Sequence, residues 1–181
     1  MAAGDGLVSM TPTSIAHSGT SASINADGGV DFTAVTELSL NGVFTSDYDN
    51  YLIVVRYVNT ADVNVNAKYR LAGTDTTGSD YSIQYLIARS TSLLAERQTG
   101  NASMLFIPGA IQQRSGVHIH VYGPALAQPT AHRTVSARGY DNAEIADIAG
   151  THSLSTAYDG ITFEPSSGNF TGNVHVFGYE E

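Results

Sequence analysis

Two histidines one residue apart, His118 and His120 in GVHIHVYG, come closest to the spacing of a metal site. On a strand, residues i and i+2 project from the same face, so both imidazoles can reach one ion. His175, between Val174 and Val176 in NVHVF, falls in the same outward register and is a candidate third ligand. An HxH pair alone fixes no further ligand, and a polar sheet face or a contact between subunits explains it equally well. On the axis of a trimer, three such pairs would converge, and the metal reading would gain weight.

The remaining chemistry is thinner. GTDTTGSD (Gly73 to Asp80) gathers acids and hydroxyls in one loop but lacks the D-x-[DN]-x-[DN]-G spacing of a calcium loop. GTSAS, from Gly19, lacks the second glycine of a nucleophile elbow. Glu37, Glu96, Asp141, Glu144, Asp147 and Glu164 are scattered among turns and strand edges, and nothing selects a pair for acid–base work. With no cysteine in the chain, disulfides, thiolate chemistry and sulfur-ligated zinc are excluded. The expectation is no catalytic residue, no metal and no cofactor. Tyrosine is more suggestive, with 10 Tyr and no Trp, and with Tyr48, Tyr51, Tyr57, Tyr81 and Tyr85 crowding the first half. A tyrosine offers rigid apolar area with a polar tip, which suits interfaces and sugar or protein recognition, although strand caps and core edges use it too. His118, His120, Tyr122, Tyr81 and Tyr85 are therefore the candidate subunit or partner contacts.

Charge narrows the partners. Lys and Arg number 8 against 17 Asp and Glu, a net charge of -9 that repels phosphate backbones. Arg133 and Arg138 are too few to make a basic patch, so nucleic acid is not expected as a partner. MAAGDGLVSMTPTS has no basic region followed by an apolar run, and YLIVV (Tyr51 to Val55) is too short to cross a bilayer. Neither a signal peptide nor membrane insertion is expected.

The elements that must carry these side chains read as strands. In VNVNAKYRL, Val63, Val65, Ala67, Tyr69 and Leu71 share one face and Asn64, Asn66, Lys68 and Arg70 the other. GVHIHVYG alternates likewise, with Val117, Ile119 and Val121 inward and His118, His120 and Tyr122 outward, and AHRTVSARG is a weaker version. YLIVVRYV, YSIQYLIA and SMLFIP are more continuously apolar, as for central strands covered on both faces. Asp27-Gly28-Gly29 signals a hairpin, and TSDYDN, AGTDTTGSD, RQTGN, IPGA, YGPALAQPT and EPSSGN are further breaks. STSLLAER and DNAEIADIAG each suit a turn or two of helix, and no more. The expected fold is an all-β antiparallel sandwich, jelly-roll-like, of roughly 8–10 strands with little helix. Residues 1–12 read as an arm or linker, and 13–181 as a single domain.

GVFTSDYDNYLIVV (Gly42 to Val55) and YDGITFEPSSGNFTGNVHVFGY (Tyr158 to Tyr179) resemble a module of tailed-bacteriophage virion proteins, frequent in tail fibres and other exposed structural proteins. The module has an F-T-S-x-Y-x-N-Y segment leading into an apolar strand. It closes on Y-D-G, then S-G-N, then a strand ending near Y-G-Y, which here is Phe177-Gly178-Tyr179. GLVSMTPTSI (Gly6 to Ile15) resembles the entry to these modules, so the likeness spans most of the chain. It implies a compact β-sandwich, commonly oligomeric and often trimeric, on the particle exterior, with structural or adhesive duty rather than catalysis. Its partners would be other virion proteins and, for a fibre-like module, a host surface receptor. Fibre modules often terminate a longer chain, whereas only a short arm precedes this one. Attachment is therefore expected through the module's own surface, which keeps a capsid decoration protein as the alternative. A glycan-binding or glycan-hydrolysing protein is the third reading.

Overall fold

The computed structural model describes residues 6–89, 91–107, 114–138 and 144–180, and within them the chain is all-β, with antiparallel strands and no helix. The strands are β1 (Leu7–Met10), β2 (Ser14–Ile24), β3 (Val30–Asn41), β4 (Asn50–Asn59), β5 (Val65–Leu71), β6 (Thr74–Asp75) and β7 (Tyr81–Arg89). After them come β8 (Ser92–Asn101), β9 (Met104–Ile107), β10 (Ser115–Tyr122), β11 (Thr130–Arg138), β12 (Glu144–His152), β13 (Gly160–Pro165) and β14 (Phe170–Tyr179). They join into one sheet in the order β6-β5-β13-β3-β14-β4-β10-β11-β12-β7-β8, with β1 beside β14, β2 beside β3 and β9 beside β5.

Two devices curl this sheet into a sandwich. Strand β3 carries a bulge where Ala34 adopts a positive φ of 47° and the β2 register slips between Ser18 and Gly19. Gly19 must be glycine there, because a Cβ would stand 2.3 Å from the Ala34 carbonyl oxygen. The bulge lets the first half of β3 pair with β14 and the second half with β13. Where β14 pairs with β4 beside its bulge, Gly172 allows the close approach, since a Cβ would lie 2.0 Å from the Arg56 carbonyl oxygen.

The ends of the sheet then face one another across the core. Tyr69 of β5 stacks on Tyr81 of β7 with ring centroids 6.0 Å apart, and on Tyr158 at 5.1 Å. His152 of β12 sits edge-on to Tyr81 at 4.4 Å, and its Nδ1 is 3.2 Å from the Tyr158 hydroxyl. The Tyr69 N–H donates to the Tyr81 hydroxyl across the core at 2.8 Å. The main apolar core lies between these layers and includes Phe32, Leu38, Leu40, Ile53, Ile119, Val121, Phe163 and Phe170. Ile83, Tyr85, Ile87, Ala146 and Ile148 form a smaller second cluster under β7 and β12.

Several elements differ from the sequence expectation. STSLLAER and the described part of DNAEIADIAG are strands β8 and β12, because long cross-strand pairing with β7 satisfies backbones too short to hold a helix alone. RQTGN lies inside β8 rather than breaking it, with Gly100 at a positive φ of 70° beside a register shift. Leu7–Met10, within the expected arm, pairs with β14 from Leu7↔Tyr179 to Met10↔Val176. Ala72 and Gly73, with φ of 50° and 79°, close a two-residue hairpin that ends β5, leaving Leu71 exposed and Arg70 buried against Asp75. The strand count is fourteen among the described residues, because short ladders such as β1, β6 and β9 carry little sequence signal. Pro108 to Ala110 of the expected IPGA break lie outside the described residues.

Candidate functional site

The outer face of seven strands, β14 to β8, is one continuous grid fixed by backbone register. One row reads His175, Val54, His118, Val135, Asp147, Leu86 and Ala95. The next reads Phe177, Leu52, His120, Arg133, Ala149, Gln84 and Arg97. A third holds Tyr122, Ala131, Thr151, Ser82 and Thr99, and a fourth holds Gly116, Ala137, Ile145, Ala88 and Leu93. The apolar runs of β4 and β7 suggest cover on both faces. On β4 the outer Leu52 and Val54 are half-buried, but on β7 Leu86 stands 49% exposed, and beside it Ile145 of β12 and Leu93 of β8 are 64% and 71% exposed. Strand β11 inverts the usual pattern, burying Thr130, His132, Thr134 and Ser136 while Arg133 and Val135 face out.

The expected contact residues separate into two groups. His118, His120 and Tyr122 lie on the outer face. The His120 ring stacks between Tyr122 and Tyr179 at 6.5 and 6.2 Å, and the Tyr179 hydroxyl is 2.8 Å from His120 Nδ1. Tyr179 is not among the residues singled out from the sequence, although its outward register in VHVFGY is readable there. Tyr81, in contrast, is fully buried, and its hydroxyl joins Tyr69 N and Thr76 Oγ1, so its place is in the core rather than in a contact. Tyr85 also points inward and donates its hydroxyl to Glu96. Burial, then that hydrogen bond to Glu96, pushes the Tyr85 phenol up to about 12, while the same bond holds the Glu96 carboxyl below its usual range. For the HxH pair, His118 and His175 flank Val54 in one row, with a strand between them, and the His175 ring packs over Gly29. Among the described residues no group of three or more His, Asp or Glu converges to hold a metal ion.

A shallow trough of about 540 Å³ runs across this face. Ala131, Ala149, Thr151 and Ser82 make its floor, small enough to leave the groove open between taller neighbours. Tyr122 stands at one end, Gln84 and Arg97 at the other, and Arg133 beside the middle. The Arg133 guanidinium is clamped by Asp147 through Nε at 3.0 Å and Nη2 at 2.6 Å, a clamp that does not use Nη1. That bidentate bond raises the Arg133 pKa and lowers the Asp147 pKa. Gln84, which lines the trough, is held by a 2.9 Å bond from Nε2 to the Glu96 carbonyl oxygen. Beneath the floor lies His132, whose ring occupies the space left by Gly150. Burial, with the neighbouring His152 adding to it, pushes the His132 imidazole down to about 4.

No family model and no characterised relative matches the sequence. Among solved structures, the chain is similar to the Caenorhabditis elegans galectin LEC-6 at 10% identity and a TM-score of 0.40, over 88% of this chain and 100% of that one. It is also similar to the C-terminal CBM6 of LamC from Zobellia galactanivorans at 13% identity and a TM-score of 0.32, over 95% of this chain and 98% of that one.

Proposed function

We propose that the chain is a non-enzymatic structural protein of a tailed-phage particle, an exposed tail-associated or fibre-like module that contacts the host surface. The observation that carries this proposal is the outer face itself: a seven-strand surface in unbroken register, with Leu86, Leu93, Tyr122, Val135 and Ile145 all exposed. Single exposed apolar residues are ordinary, but a face that gathers several of them marks an interaction surface. The two segments of the virion resemblance also meet in space. Strands β4 and β14 pair along most of their length, and the Tyr48 ring covers Gly178, where a Cβ would fall 2.5 Å from the ring. Tyr51 fixes the entry to β4, its hydroxyl accepting from Thr45 N and donating to Thr45 O, both at 2.7 Å. The proposed assembly is a homotrimer joined to other virion proteins.

Immunogold labelling of purified particles with antibody raised against the chain tests this proposal. Gold on the tail or its fibres is the expected result. Gold over the head replaces it with the decoration role, and unlabelled particles overturn both. Release of reducing ends from host polysaccharide by the purified protein would refute the non-enzymatic assignment.

A further inference from the structure

Resting on the host-contact role above, we infer that the trough between Tyr122 and Arg97 binds an anionic oligosaccharide laid across strands β10, β11, β12, β7 and β8. Charge gives the first reason. The chain carries 17 acids against 8 bases, yet the residues lining the trough include Arg97 and Arg133 and no acid. Arg97 makes no ion pair among the described residues, whereas Lys68, Arg70, Arg89 and Arg133 each hold a carboxylate. An unpaired guanidinium in a groove of an otherwise acidic protein is placed for an incoming carboxylate or sulfate, whose planar or forked oxygens match its donors.

Shape and polarity give the second. The trough is open and shallow, so it cannot enclose a compact apolar ligand in the way a deep pocket does. Its small-residue floor lets a flat, extended chain lie close to the sheet. Tyr122 is 43% exposed, and its ring is held in a stack with His120. A ring fixed in this way offers a platform for the apolar face of a pyranose at little entropic cost. Gln84 and Thr151, both lining residues, bring an amide and a hydroxyl of the kind that pair with sugar hydroxyls. Tyr122 and Arg97 lie four strand spacings apart, roughly 19 Å, which fits an oligosaccharide and not a single sugar. An extended peptide would instead add along the unpaired edge of β8, parallel to the strands, whereas the trough runs across β10, β11, β12 and β7, each paired on both sides.

The test is binding of the purified full chain to immobilised hexuronate, sialylated and sulfated oligosaccharides, with neutral gluco- and galacto-oligosaccharides and single-stranded DNA alongside. At least one anionic series should be retained and the neutral ones not, with retention falling as salt rises. Arg97→Gln and Tyr122→Ala should each weaken the retained ligand by about tenfold or more, the loss of one charge-assisted contact or one stacking platform. Retention of carboxylated but not sulfated sugars, or the reverse, identifies the anion. Absence of retention across the anionic panel, equal binding of neutral sugars, or unchanged binding by both variants overturns the inference. Tyr122-dependent retention of the DNA alone reassigns the trough to nucleic acid. Particle labelling is independent of this assay: gold on the tail without sugar binding removes the trough alone, and sugar binding by a protein absent from particles removes the virion role alone.

Discussion

Acid should destabilise this fold chiefly through His132. His132 is 2% exposed and no described protein group pairs with either ring nitrogen. Its surroundings include the second buried imidazole of His152, and Tyr158 and Asp80 lie beyond that ring. The folded protein therefore keeps His132 neutral down to about 4, against an ordinary value of 6.5. A base with a depressed folded pKa stabilises the fold fully above the unfolded value, and that stability drains away as pH falls from 6.5 to 4. At pH 5 the unfolded chain has taken up the proton and the folded chain has not, a gap of about 1.5 pH units and thus about 2 kcal/mol. Below pH 4 the loss levels off at about 3 kcal/mol. The His132→Leu variant isolates this contribution, since a leucine fills similar space and cannot titrate. Urea unfolding followed by tyrosine fluorescence suits a chain with 10 Tyr and no Trp. Between about pH 7.5 and pH 5 the wild type should lose about 2 kcal/mol more than His132→Leu does. His152, whose pKa burial also lowers, is present in both proteins, so the difference reports the loss of His132 together with its charge coupling to His152. Equal losses in the two proteins would refute the burial of a neutral imidazole at this position.

Three further predictions concern the clasp, the crossing and the outer face. Tyr81→Phe removes the hydroxyl that accepts the Tyr69 N–H and pairs with Thr76, both at 2.8 Å, and should cost about 1–3 kcal/mol in urea unfolding at neutral pH; an unchanged midpoint would show that the ends of the sheet are not joined there. Gly172→Ala drives a Cβ to 2.0 Å from the Arg56 carbonyl oxygen and should lower stability by about 1–3 kcal/mol or more, read as a depressed Tm, with an unaltered Tm arguing against the close approach of β14 to β4. Ile145→Asp with Leu93→Asp places charge on residues of one outer row and should leave monomer stability within about 0.5 kcal/mol while breaking the proposed trimer; light scattering that finds the wild type monomeric would remove the trimer.

How much of this is legible in the sequence depends on whether a residue's neighbours are local. The alternation of Val117, Ile119 and Val121 with His118, His120 and Tyr122 gives the inner and outer faces of β10 directly, because the period of a strand is a local property. The Asp27-Gly28-Gly29 hairpin is equally plain, with the Gly29 N–H bonded to Asp27 Oδ1. Tyr81 is misjudged from the sequence because nothing near it in the chain announces Tyr69, Thr76 and His152, which the curl of the sheet brings to it. The apolar stretch YSIQYLIA suggests burial on both sides, yet Leu86 faces out, since burial of the second face depends on a covering layer that local pattern does not encode. Strand β11 is hardest of all. Its buried face is Thr130, His132, Thr134 and Ser136, and a reading by hydrophobicity alone would turn it the wrong way round.

That inversion supplies one residue of the trough floor. With polar residues taken inside, the outer row is left with Ala131, and Gly150 beneath Ala149 and Thr151 makes room for the His132 ring. Ala131 therefore faces the trough for the same reason that His132 is buried, while Ala149, Thr151 and Ser82 come from β12 and β7. Recognition and acid sensitivity thus lie on opposite faces of one sheet. They remain separable in experiment, because Tyr122 and Arg97 sit on the outer face, where substitution costs little stability, while register is held by Ile119, Ile148 and Ile83 within. A variant that loses sugar binding at unchanged stability, and another that loses acid sensitivity at unchanged register, would together show that the two faces of this sheet do separate jobs.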